Sequence, residues 1–210
     1  MKKIGAILTT LRRRHKPTML ESYGSKPFTI LVSTILSART RDATTIPIAR
    51  RLFKKYRNPE DFAKASLKRL ESEIYGVNFY HGKARRLKEL SAALVERYGS
   101  RVPAKLEKLL ELPGVGRKTA NCVLVYGFHK PAIPVDIHVH RISNRLGIVR
   151  TKTPDETERK LMQIVPKKYW IEINELFVRH GQTVCLPVSP FCSKCPIKKY
   201  CKRVGVKRSQ

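Results

Sequence analysis

The sequence predicts an all-α protein, and three observations carry that expectation. Apolar residues recur at three- and four-residue spacing in one segment after another. Proline, glycine and asparagine punctuate those segments where helices start and stop. The strict alternation of a half-buried strand is nearly absent, and no fixed-period repeat runs through the chain. At 210 residues the chain fits one compact unit or two small ones, and either buries a real core.

Taken in order, residues 4–14 read as a helix with Ile4, Ile7, Leu8 and Leu11 on one face. The apolar run Phe28–Leu36 has the length of a buried helix, although its β-branched content leaves a strand open. The polar stretch Ser37–Asp42 leads into a helix carrying Ala49, Leu52 and Phe53. Asn58-Pro59-Glu60-Asp61 is a helix start with Asn as N-cap and Pro in the first turn. A short helix from about Leu67 to Ile74 closes at Gly76. Val77–Ala84 reads as an aromatic and basic loop before a long amphipathic helix with Leu87, Leu90, Ala93, Leu94 and Tyr98. Leu106, Leu109 and Leu110 form a helix that Pro113 must stop. Ala120, Val123, Leu124 and Tyr126 continue to Gly127, a C-terminal stop. After Pro131–Val135 a helix runs from Ile137 to Leu146. Thr153-Pro154-Asp155-Glu156 opens another as a capping box, with Leu161, Ile164 and Val165 on its apolar side. The last helix, near Trp170–His180, buries Ile171, Ile173, Leu176 and Phe177.

Charge narrows the function. Lys and Arg number 44 against 16 Asp and Glu, a net +28, while the hydrophobic fraction of 41% is ordinary. Self-repulsion on that scale disfavours the compact state unless a polyanion is the working partner. Nucleic acid fits best, because Lys and Arg displace counterions condensed on phosphates. An anionic membrane surface is the competitor, yet no apolar run approaches the roughly 18 residues of a spanning helix. The short apolar stretch after Met1-Lys2-Lys3 runs into Arg12, Arg13 and Arg14 without a cleavage-like site. These features place the protein in the cytoplasm. Three Gln and five Asn in the whole chain point toward a thermophilic source.

Two stretches carry chemistry. The first is Leu112-Pro113-Gly114-Val115-Gly116-Arg117-Lys118-Thr119-Ala120, a tight turn between two helices. Its glycines let the backbone turn sharply and approach a ligand closely. The helix that follows begins with N–H groups and a positive dipole end that suit a phosphate oxygen, and Lys118 stands in its first turn. The second stretch holds Cys185, Cys192, Cys195 and Cys201, spaced C-x6-C-x2-C-x5-C. Four clustered thiols inside a cell suggest metal ligation, and spacing alone leaves an iron–sulfur cube, a structural zinc and a disulfide pair open. Lys194, Lys198, Lys199, Lys202 and Arg203 are interleaved with them, whereas Cys122 reads as a core thiol.

These stretches, with Val135-Asp136-x-His138 placed so that Asp136 follows Lys118 by 18 residues, resemble the helix-hairpin-helix (HhH-GPD) DNA glycosylases. The endonuclease III branch is the most similar, and the likeness runs from about Phe28 to Cys201. It implies two helical domains, 20–130 containing the hairpin and 1–19 with 131–210, and DNA bound in the cleft between them. It implies a [4Fe-4S] cluster on the four cysteines. It also implies a monomeric, prokaryotic, nucleoid-associated repair enzyme acting on damaged bases in double-stranded DNA. Lys118 matches the family's nucleophile, which attacks C1′ of the damaged nucleoside, expels the base and forms a Schiff base that β-elimination resolves into a strand break. Asp136 matches the carboxylate that supports it, although it also reads as a plain N-cap. His138 reads as a structural hydrogen-bonding group. The hairpin residues Gly114, Val115, Gly116, Arg117 and Thr119 match the DNA-binding turn.

The family fills the space of an extruded nucleotide from two loops, here Ser37–Asp42 and Asn78–Lys83. Arg39 stands where the first usually has Gln, and Phe79 where the second commonly has Leu. Arg39 then faces the orphaned base and Phe79 wedges into the stack, with Tyr80, His81 and Lys83 along the same loop. Lys194 and Lys198 complete the expected DNA contacts. The resemblance implies a glycosylase and abasic-site lyase for oxidised pyrimidines. A mismatch-specific thymine or adenine glycosylase and a non-catalytic DNA-binding protein are the alternatives.

Overall fold

The computed structural model describes residues 2–210, and among them every regular element is helical. Two compact units divide the chain: Met19–His129, and Met1–Thr18 with Lys130–Gln210. No helix among the described residues is long and apolar enough to cross a membrane.

The unit Met19–His129 is built around α2 (Pro27–Ser37), in which Ile30 to Leu36 are all buried. Burial on every side is what an all-round apolar helix requires, and it decides against a strand at Phe28–Leu36. Around α2 pack α3 (Asp42–Lys55), α6 (Tyr80–Tyr98) and α8 (Arg117–Cys122). Against α6 lie α4 (Pro59–Lys64) and α5 (Leu67–Glu73). The start of α4 is a full capping box: Asn58 accepts from Asp61 N, and the Asp61 carboxylate accepts from Asn58 N. The hairpin consists of α7 (Leu106–Leu110), a turn, and α8. Beyond α8 the chain widens into a fully buried π-helical turn, Val123–Gly127, and leaves the helix at His129 with φ +50°. Gly127 is therefore no left-handed stop. A Cβ there would lie 2.9 Å from the Pro27 backbone, so this glycine serves the close approach to α2.

The other unit packs α1 (Lys2–Arg12), α9 (Ile137–Arg145), α10 (Pro154–Ile164) and α11 (Trp170–Thr183). Ile7, Leu8, Ile133, Val139, Leu161, Ile173 and Phe177 form its core, and Cys185, Cys195 and Cys201 pack on its margin. Helix α1 ends two residues before the expected 14, in a turn closed by Arg14 N to Leu11 O and His15 N to Arg12 O. At α10 the Thr153 hydroxyl accepts from Glu156 N, while the Glu156 carboxylate accepts from Lys152 N.

Candidate functional site

In the hairpin, Leu109, Leu112 and Val115 are buried and anchor the turn from below. Leu112 N donates to Leu109 O and Val115 N to Leu112 O, so consecutive tight turns carry the chain from α7 to α8. Gly114 takes φ +73°, and a Cβ there would meet the Arg86 stem at 3.0 Å. Gly116 caps α8 with extended backbone and open space around its Cα. Both glycines are exposed, and Lys118 and Thr119 follow half-buried in the first turn of α8. Val115 faces the core and its N–H is spent inside the turn, so its side chain offers DNA nothing. The hairpin is an open strip of backbone with a primary amine at its end.

Arg39 and Phe79 are exposed residues on two different segments of the same unit, and both adopt left-handed backbone, φ +55° and +59°. The Arg39 guanidinium lies over the Phe79 ring at 6.0 Å. The expected loop at Val77–Ala84 is shorter than the sequence suggests, because α6 begins at Tyr80 and places His81 and Lys83 within its first turn. Tyr80 meets Tyr75 edge to face and lies with its ring centroid 4.0 Å from that of His81, and His81 pairs with Glu71. Lys83 does not belong on a DNA surface: it is 3% exposed. Its Nζ donates to Leu36 O at 2.7 Å, Ala38 O at 2.6 Å and Thr40 Oγ1 at 3.1 Å. An ammonium has three donors, and all are used inside the protein.

In the other unit, Asp136 is the N-cap of α9. Its Oδ1 accepts from His138 N and Val139 N, both at 2.9 Å, so capping does not use Oδ2. The N-cap reading and a chemical role are compatible, since the cap fixes the carboxylate. His138 Nδ1 lies 3.1 Å from Arg141 Nη2, and its ring packs on Gly181, where an added Cβ would come within 2.6 Å.

The far end of α9 meets the cysteines. Arg141 donates to Cys185 O and Gly181 O. Arg145 donates to Leu186 O at 2.6 Å, Pro187 O at 2.7 Å and Cys185 Sγ at 3.4 Å. The Arg145 carbonyl in turn accepts from Val204 N and the Cys201 thiol. These two arginines, four residues apart on one helix face, tie the cysteine loop to α9, and sequence reasoning missed them. Their spacing was the available signal. His180 is buried, with Nε2 3.6 Å from Cys195 Sγ, and burial beside Arg141 holds it neutral, down to about 4.

All four cysteines are free thiols, and all four line one solvent-open pocket with His180, Arg145 and Arg203. Among the described residues no three His, Cys, Asp or Glu side chains close on a point suited to a single ion. Burial pushes the Cys195 thiol up to about 11 and Cys201 in the same direction. A metal ion bonded to such sulfurs favours their thiolate form. Four soft sulfurs around a shared volume, with guanidinium donors beside them, fit a multi-atom iron–sulfur group. Lys194 and Lys198 are exposed on this loop.

Residues 32–167 match the family model described as HhH-GPD superfamily base excision DNA repair protein. The chain belongs to that superfamily. Endonuclease III of Thermotoga maritima is 48% identical over 93% of this chain and 89% of its own. A non-covalent endonuclease III–DNA complex superposes with TM-score 0.88 at 37% identity, covering 96% of this chain and 95% of the other. A trapped covalent endonuclease III–DNA intermediate matches with TM-score 0.81 at 40% identity, covering 85% and 84%. Within the superfamily, the chain's branch is that of endonuclease III.

Proposed function

We propose that this protein is a bifunctional DNA glycosylase and abasic-site lyase of base excision repair, removing oxidised pyrimidines such as thymine glycol from duplex DNA. The observation that carries the reading is Lys118, a primary amine in the first turn of α8 directly after the exposed Gly114–Gly116 backbone. The covalent DNA intermediate of a relative 40% identical supports it. The glycines let a phosphate backbone approach the hairpin, and Arg117 and Thr119 flank it.

In the reaction, the lone pair of Lys118 Nζ forms a bond to C1′ as the C1′–N glycosidic bond breaks and the base departs with that electron pair. The amine sheds a proton, and the sugar ring opens to an iminium. Loss of a C2′ proton then expels the 3′-phosphate by β-elimination, and water releases Lys118. Asp136, held by its two cap bonds, is the carboxylate we assign to stabilising positive charge on the sugar and to accepting the nucleophile's proton. Arg39 and Phe79 occupy the space of the extruded nucleotide.

Cys185, Cys192, Cys195 and Cys201 are the residues we assign to a [4Fe-4S] cluster. When bound, such a group supplies four metal–thiolate bonds that crosslink the loop. The chain's own contribution is Arg141 and Arg145, which fix the loop backbone to α9, and Lys194 and Lys198, which it then presents to phosphates.

Base release and strand cleavage on matched duplexes test the substrate assignment. Thymine glycol is expected to be released and the strand cut, with a normal thymine mismatch left intact. Release of the mismatched thymine without strand cleavage would assign a mismatch glycosylase instead.

A further inference from the structure

The segments carrying Arg39 and Phe79 are separated by 40 positions in sequence, yet they are bonded into one body. Asn78 Nδ2 donates to Arg39 O at 2.6 Å, and Asn78 N donates to Thr40 Oγ1 at 3.2 Å. Lys83 reaches both segments. Its backbone N–H donates to Phe79 O at 3.1 Å, and its ammonium takes Leu36 O, Ala38 O and Thr40 Oγ1 on the other side. Two non-glycine residues held in left-handed backbone are strained. They persist only where surrounding bonds over-determine them.

We propose that Lys83 is the positioning residue of the base-extrusion wedge, a buried ammonium that clamps the Arg39 and Phe79 segments into one preformed tip. The inference rests on the reading of Arg39 and Phe79 as the wedge. Two carbonyls and a hydroxyl around one nitrogen suit the three donors of an ammonium. Burial, with Arg86 nearby, lowers this amine to about 8, so at neutral pH it keeps its proton and all three donors. A wedge assembled beforehand enters the stack without first ordering two loops, and that ordering would otherwise oppose extrusion. The clamp never touches the nucleic acid.

The experiment uses the full chain and a duplex carrying 2-aminopurine opposite a tetrahydrofuran abasic analogue. The fluorescence rise at saturating protein reads insertion at the lesion, and a titration gives the affinity separately. Phe79→Ala is expected to lose most of the rise. Lys83→Met is expected to lose it to the same level, with an affinity loss smaller than its amplitude loss. Thr40→Val, which removes a shared acceptor on a half-exposed residue, keeps the test valid should Lys83→Met fail to fold; it is expected to lose part of the rise. If Phe79→Ala loses the rise while Thr40→Val, or a folded Lys83→Met, keeps it in full, the clamp is overturned and the wedge stands. If Phe79→Ala keeps it, the wedge reading falls and the clamp with it.

Discussion

The hairpin turn and the cysteine loop both lie outside the α-helices, and they are held in opposite ways. The hairpin is held by its own backbone: a left-handed Gly114, two short turn bonds, and Leu109, Leu112 and Val115 sunk into the core. The cysteine loop is held by side chains from elsewhere, with Arg141 and Arg145 of α9 spending their guanidinium donors on Cys185, Leu186 and Pro187. The hairpin thus keeps an open backbone and an available amine without help. The loop leans on partners from α9, and the cluster we assign to its four sulfurs would be a further one.

That contrast is broken most sharply by removing what the loop binds. Cys195→Ser, or iron chelation, is expected to abolish the visible iron–sulfur absorbance and weaken duplex binding by about tenfold or more, since Lys194 and Lys198 lose their fixed placement. Native-like binding by the apo-protein would remove the loop from the interface. Next comes Arg145→Met, which leaves the Leu186 and Pro187 carbonyls without their donor. It should cost about 1–3 kcal/mol in chemical denaturation and accelerate loss of iron, while the Schiff-base chemistry survives. The glycines sharpen the hairpin side with smaller effects. Gly114→Ala must hold φ +73° and crowd Arg86, an expected cost of about 1–2 kcal/mol. Gly116→Ala meets open space at an ordinary φ. Its melting temperature should stay level or rise slightly, while duplex affinity falls because the new methyl stands in the phosphate's approach.

How much was legible in the sequence follows the same division. Features set by neighbours a few residues apart were readable: the Asn58 cap with Pro59, the Thr153-Pro154 start, the Asp136 cap, and the turn at Gly114. Features set by distant partners were not. Tyr80 begins α6 because Phe79 adopts a left-handed conformation that its bonded neighbours hold, and Lys83 turns inward to carbonyls more than 40 positions away. Its surroundings suggested a surface base, and only the fold supplies the acceptors. The close approach of Gly127 to Pro27 likewise joins residues 100 positions apart, which no local pattern encodes. Arg141 and Arg145 were visible as an i, i+4 pair, but their carbonyl partners lie some 40 positions on.

Borohydride trapping on a duplex with thymine glycol or an abasic site tests the central assignment most directly. A covalent protein–DNA adduct is expected from the unaltered protein and is expected to disappear in Lys118→Gln, with strand cleavage falling by roughly a thousandfold or more and duplex affinity largely retained. An adduct of undiminished yield in Lys118→Gln would place the nucleophile elsewhere. No adduct from the unaltered protein would contradict the imine mechanism and leave Lys118 a phosphate contact.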